Sequence, residues 1–214
     1  MKQTLYLCLA MLLLCAGCAS SSINVIDKKN PTRPYTKVLV AYLDEGCDFT
    51  LFDSLTYDIC LKSCFLNADS YPTRVQAENM LADQLTTGTA IVKATDVLDI
   101  TYNSYDYFRR VIDSLHIDAI LMVDLRRYTH TDHPAYSAPL IVNGHMVTPG
   151  TGYNVKTLNG AYECFLINTG NIHFPIWHAA IDVKGRTSGG EHMINNKMAK
   201  ELARSLTSAG YWMH

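Results

Sequence analysis

Asp118-Ala119-Ile120-Leu121-Met122-Val123-Asp124-Leu125 is the stretch on which the fold turns. An unbroken apolar run of strand length, bounded by acidic residues, is the composition of a central strand covered on both faces. The residues before it have the other period. Ser104 is placed to cap a helix in which Tyr105, Phe108, Val111, Ile112 and Leu115 form one apolar stripe, Arg109 and Arg110 take the solvent side, and His116 marks the end. A helix feeding a buried strand is the grammar of an α/β domain.

The same alternation extends outward. Lys37 to Leu43 is a near-continuous apolar run and reads as a first strand. Leu51, Phe52, Leu55 and Ile59 suggest a short helical insertion. A firmer helix follows Pro72, with Val75, Asn79, Met80, Ala82 and Leu85 recurring and Gly88 as its stop, and Ala90 to Ala94 is a short second strand. Beyond Leu125 the period becomes alternating. Asn143-Gly144 between Leu140–Val142 and His145–Val147 signals a two-residue hairpin. Ala161 to Ile167, a turn over Asn168-Thr169-Gly170-Asn171, and Ile172 to Val183 form a second strand pair, with Pro175 expected at an edge or a bulge. A closing helix over about 190–208 places Ile194, Met198, Leu202, Ala203 and Leu206 on one face. The expected fold is α/β: a two-layer sandwich with a mixed sheet of about five strands, helices packed on it, and a carboxy-terminal helix.

The chain has 214 residues, 48% hydrophobic and 18% charged, with a net charge of −2. Thirteen tyrosines and six phenylalanines exclude an intrinsically disordered chain, and the near-neutral balance provides no electrostatic footprint for nucleic acid. The amino terminus stands apart. Met1 to Gly17 has one charge, Lys2, then an apolar run through Leu14 and the small residues Ala16 and Gly17, which is the order of an export signal. The run is too short to span a bilayer. Its end, Leu14-Cys15-Ala16-Gly17-Cys18-Ala19-Ser20, resembles the lipobox of bacterial lipoproteins. That resemblance implies cleavage before Cys18, acylation of Cys18, and, with Ala19 rather than Asp following, sorting to the outer membrane with the domain in the periplasm. The expected organisation is a signal peptide over 1–17, a lipidated Cys18 and flexible tether over 18–34, and a single α/β domain over 35–214.

Ile117-Asp118-Ala119-Ile120-Leu121-Met122-Val123 after an amphipathic helix, with Leu166-Ile167-Asn168-Thr169-Gly170-Asn171-Ile172 ahead of Trp177, looks like a group of periplasmic lipoprotein domains. The group includes the amino-terminal domain of the TolB type, the curli-secretion lipoprotein and the activator lipoproteins of penicillin-binding proteins. The resemblance implies a non-catalytic domain for protein association at the envelope.

Candidate chemistry is sparse. His130 and His133, with Asp132 between them and His145 on the hairpin, can be imagined as metal ligands of an envelope hydrolase, but a zinc site needs three or four fixed ligands, and a solvated loop explains the same residues. No metal or cofactor is therefore expected. Asp44, Glu45, Asp48 and Asp53 are either paired carboxylates or the solvated loop after a strand. In an oxidising compartment Cys47, Cys60, Cys64 and Cys164 allow a disulfide, with Cys60 and Cys64, four apart, as alternative partners for Cys47, or free buried thiols. Tyr128, Tyr136 and Tyr153, on a long segment from Tyr128 to Asn159, form the candidate partner surface, because tyrosine is favoured at interfaces and long loops carry binding. The expected partners are the membrane, through the lipid, and an envelope protein or a second copy of the chain.

Overall fold

The computed structural model describes residues 20–44, 46–86, 88–98, 104–133, 140–142, 145–147, 155–186 and 190–212. Its strands are β1 (Ser20–Lys28), β2 (Lys37–Leu43), β3 (Ala90–Lys93), β4 (Ala119–His133), β5 (Leu140–Val142), β6 (His145–Val147), β7 (Val155–Asn168) and β8 (Pro175–Arg186). Its helices are α1 (Ser54–Thr56), continuing through a wider π-type turn over Tyr57–Lys62 into α2 (Ser63–Leu66), then α3 (Tyr71–Leu85), α4 (Ala94–Val97), α5 (Tyr105–Ser114) and α6 (Gly190–Ser208).

Six strands form one mixed sheet in the order β1-β8-β7-β4-β2-β3, and β5 pairs with β6 as a separate ribbon. β2 lies parallel to β3 and β4; all other neighbours are antiparallel. The α/β class, the mixed sheet and the carboxy-terminal helix are as the sequence implies. Two features add to it. β1 is a sixth strand, and helices cover both faces of the β2–β4 region.

One face of the sheet, with Val38, Val40, Tyr42, Leu121, Val123 and Trp177, packs on Ala77, Leu81 and Leu85 of α3 and on Ile194, Met198, Leu202 and Leu206 of α6. The other, with Leu39, Ala41, Leu43, Ile120, Met122 and Phe165, packs on Tyr57, Leu61 and Phe65 of the α1–α2 segment and on Phe108 and Ile112 of α5. This explains why both central strands are apolar without alternation: each successive side chain enters one of two cores. α5 begins at Ser104, whose hydroxyl accepts from the Tyr107 amide at 3.2 Å. It is closed by His116 in the left-handed region at φ 54°.

Three sequence expectations differ from the structure. Ser20–Lys28 is not a tether but an edge strand, paired antiparallel with β8 from Ser20↔Lys184 to Lys28↔Trp177. Its side chains are mostly exposed, with Ile23 packing against the core, so backbone pairing rather than a hydrophobic period defines it. The segment from Tyr128 does not begin as a loop, because β4 runs on to His133 and β7 starts at Val155, with Tyr128↔Gly160 and His130↔Leu158 in register. On α3 the expected Met80 and Leu85 are buried, but Asn79 is exposed, and Arg74, Ala77, Glu78 and Leu81 are buried in its place. Pro175 opens β8 opposite Ile167, at an irregularity of the β7–β8 register, as its missing amide favours.

Beyond Leu43, β4, β7, β8 and the start of β1 continue as a flange. Gly160 lies within it, facing α6. A Cβ there would come within 2.7 Å of the Ile194 Cγ2 and 2.8 Å of the Tyr162 ring, so only glycine lets helix and sheet approach this closely.

Candidate interaction surfaces

The acidic residues after β2 act locally. Asp53 caps α1 by accepting from the Thr56 amide at 2.9 Å, and Asp48 accepts from the Thr50 amide at 2.9 Å. Asp44 lies 3.5 Å from the Cys64 thiol. Glu45 lies outside the described residues. These contacts are those of a folded loop, with the carboxylates holding backbone turns.

Cys47 and Cys60 are joined as a disulfide, their Cα atoms 5.7 Å apart. The bond ties the loop after β2 to the π-type turn. Cys64, one turn on, and Cys164 on β7 are free and buried. Burial pushes the Cys64 thiol up to about 12, against the nearby Arg74 charge, and raises Cys164 as well. Both therefore stay protonated at neutral pH, and the thiol is not the nucleophilic form.

Arg74 and Glu78, one turn apart on α3, are fully buried. Arg74 donates to the Ser70 hydroxyl at 3.0 Å and the Cys64 sulfur at 3.4 Å, with its guanidinium 5.1 Å from the Phe65 ring centre and 5.8 Å from that of Tyr71. Glu78 accepts from the Tyr42 amide at 3.2 Å and from the Thr95 amide and hydroxyl at 2.9 and 2.7 Å. It thus joins α3 to β2 and α4. Burial raises its carboxyl to about 7, partly countered by the bonds from Thr95 and Tyr42. Charges spaced four apart on a helix ordinarily read as a solvent face, which is why sequence reasoning passed over this pair.

Tyr128 is turned toward α6: its hydroxyl donates to Asn195 Oδ1 at 3.0 Å and lies 3.3 Å from that of Tyr162, which donates to the same oxygen at 2.6 Å. Half-buried and hydrogen-bonded, Tyr128 supports the flange from within. Tyr136, Tyr153 and Cys18 lie outside the described residues. His130 is exposed on β4, His133 lies farther along the same strand, and His145 is on β6. Among the described residues no group of three His, Cys, Asp or Glu side chains is placed to hold a metal ion. His178 stacks on Phe165 with ring centres 4.2 Å apart, and burial lowers its pKa.

Among the described residues two open surfaces bear on binding. On the flange, the face away from α6 forms a groove of about 320 Å³ lined by Ser22, Arg127, Thr129, Asn159, Asp182 and Lys184, one or two residues from each of four strands. The second surface is apolar. Leu55 is 65% exposed and Ile59 62%, one turn apart in the disulfide-pinned segment. Leu51 and Phe174 are also exposed, and the bond from the Phe52 amide to the His173 carbonyl, 2.8 Å, sets their chain segments side by side. Among the described residues, no helix is long and apolar enough to cross a membrane.

No protein-family model and no curated protein matches the chain. Solved structures resemble it in outline. A PelC dodecamer from Paraburkholderia phytofirmans is 13% identical, covering 91% of this chain and 100% of that one at a TM-score of 0.46. The lipoprotein GNA1162 from Neisseria meningitidis is 12% identical, covering 81% and 99% at 0.36. A minor lipoprotein from Acinetobacter baumannii is 9% identical, covering 81% and 94% at 0.37.

Proposed function

We propose that the chain is an outer-membrane lipoprotein, acylated at Cys18, whose periplasmic α/β domain binds another envelope protein or assembles with itself without catalysing a reaction. The observation that carries the binding role is the exposed apolar surface of Leu51, Leu55 and Ile59 on the segment that the Cys47–Cys60 disulfide anchors, with Phe174 on the neighbouring connection before β8. Clustered exposed apolar side chains on a pinned segment are what an association surface requires. The address rests on the export signal and the lipobox-like Ala16-Gly17-Cys18. Kinship with the TolB-type and penicillin-binding-protein-activator domains belongs to the same reading and is supported by the order of elements. The hydrolase alternative, built on residues 130–145, gains no support from the exposed position of His130 on β4.

Two measurements test this. Cys18→Ala should remove the acyl mass from the mature protein and release it from the membrane fraction; a variant that stays acylated and bound refutes the assignment. Leu55→Asp with Ile59→Asp should abolish cross-linking of the full-length protein to a partner or to itself in intact envelopes. Cross-linking that is unchanged, or absent already in the parent, overturns the binding role.

A further inference from the structure

β1 leaves almost no free chain between the acylated residue and the fold. Ser20 is the first residue of the strand and pairs with Lys184; Ser21 and Ser22 follow opposite Val183 and Asp182. Only Ala19 stands between Cys18 and Ser20, so their Cα atoms are at most about 7 Å apart. β1 is held along its length by the ladder to β8 and by Ile23 packing on the core. A lipid on Cys18 therefore holds one particular end of the sheet at the bilayer: the flange.

The described open face of the flange is polar. Ser20, Ser22, Arg127, Thr129, Asp182 and Lys184 are all exposed. By register, Lys156 stands opposite Asp132, and Arg186 opposite Thr157, at the ends of the same strands. On its described open face the flange carries the cations Arg127 and Lys184 beside the anion Asp182. The apolar surface lies at the other end. Trp177, near the start of β8, is seven strand positions from Lys184, a separation of about 23 Å, and Phe174 lies beyond it.

We infer that the domain lies with its flange end on the lipid headgroups, Arg127 and Lys184 meeting lipid phosphates, and presents the Leu55, Ile59 and Phe174 end to the periplasm. The inference rests on acylation of Cys18 and adds an orientation to it. A conventional flexible linker would let the domain tumble; an edge strand begun two residues from the lipid does not.

The test uses full-length acylated protein in vesicles of phosphatidylethanolamine and phosphatidylglycerol containing headgroup-spin-labelled lipid. A fluorophore is placed on Ser22→Cys at the flange or on Asn171→Cys at the far end, both exposed positions. Quenching of vesicle-floated protein should be several-fold stronger at position 22 than at 171. A twelve-residue Gly-Ser insertion between Ala19 and Ser20 should collapse that difference while flotation persists, and Arg127→Glu with Lys184→Glu should reduce it. Equal quenching at the two sites, or stronger quenching at 171, on protein that floats overturns the orientation and leaves acylation standing. Protein that does not float overturns acylation, and the orientation with it.

Discussion

The β2–β4 region and the flange are parts of one sheet built to different rules. Along β2 and the first half of β4, every side chain from Val38 to Leu43 and from Ala119 to Asp124 is buried, because helices lie on both faces. In the flange, Arg127 and Thr129 are exposed while Tyr128 between them faces α6, and Asp182 and Lys184 are exposed while Val183 is buried. The same strands, β4 and β7, pass from one regime to the other. The change falls at the register irregularity between Leu125 and Arg127, where the second helical layer ends. Cover, and not strand pairing, decides which residues tolerate change.

The largest expected effect is in the doubly covered region. Leu121→Ala leaves a cavity between β4 and the α3 and α6 layer, and should cost roughly 2–5 kcal/mol in chemical denaturation of the detergent-solubilised protein. A loss below 1 kcal/mol would mean that the central strand is not packed as described. Next comes the cross-link that holds the second layer's loop. Cys47→Ser with Cys60→Ser opens a bridge between residues 13 apart and should cost about 3 kcal/mol. Reduction of the parent protein should lower its unfolding free energy by about the same amount, and an unchanged denaturation midpoint would show that packing alone seats that layer.

Smaller effects belong to the flange. Gly160→Ala should cost roughly 1–3 kcal/mol, because the new methyl meets Ile194 and Tyr162 on the side that α6 does cover. Thr129→Ala, eight positions along β4 from Leu121, should change stability by less than about 0.5 kcal/mol, since its side chain is exposed on the face that no helix covers. If thermal unfolding shows Thr129→Ala to be as damaging as Gly160→Ala, the flange is not covered on one face alone.

Much of the architecture was legible because it depends on local period. The apolar runs Val38–Leu43 and Ala119–Val123, the Ser104-capped stripe of α5, and the Ile194, Met198, Leu202 face of α6 are all where the side-chain pattern puts them. β1 was not legible: Ser-Ser-Ser-Ile-Asn-Val has the composition of a linker, and its strand geometry comes from backbone groups offered by β8. Arg74 and Glu78 misdirected the reading of α3, since their burial depends on partners more than two residues away in sequence: Ser70, Cys64, Tyr42 and Thr95. Nor could spacing choose between Cys60 and Cys64 as the partner of Cys47. The π-type turn presents Cys60 to Cys47 and leaves Cys64 beside Asp44 and Arg74.

Sequence by itself determined the central strands and the amphipathic helices, because each is written in consecutive residues or in a short period, and the same kind of local pattern is what the proposed export signal rests on. Tertiary structure decided how closely the chain after Cys18 is bound to the domain, which charges are buried, and which half of the sheet stays open. Those depend on backbone hydrogen bonds and on layers contributed by residues far apart in the chain, and no local pattern encodes them.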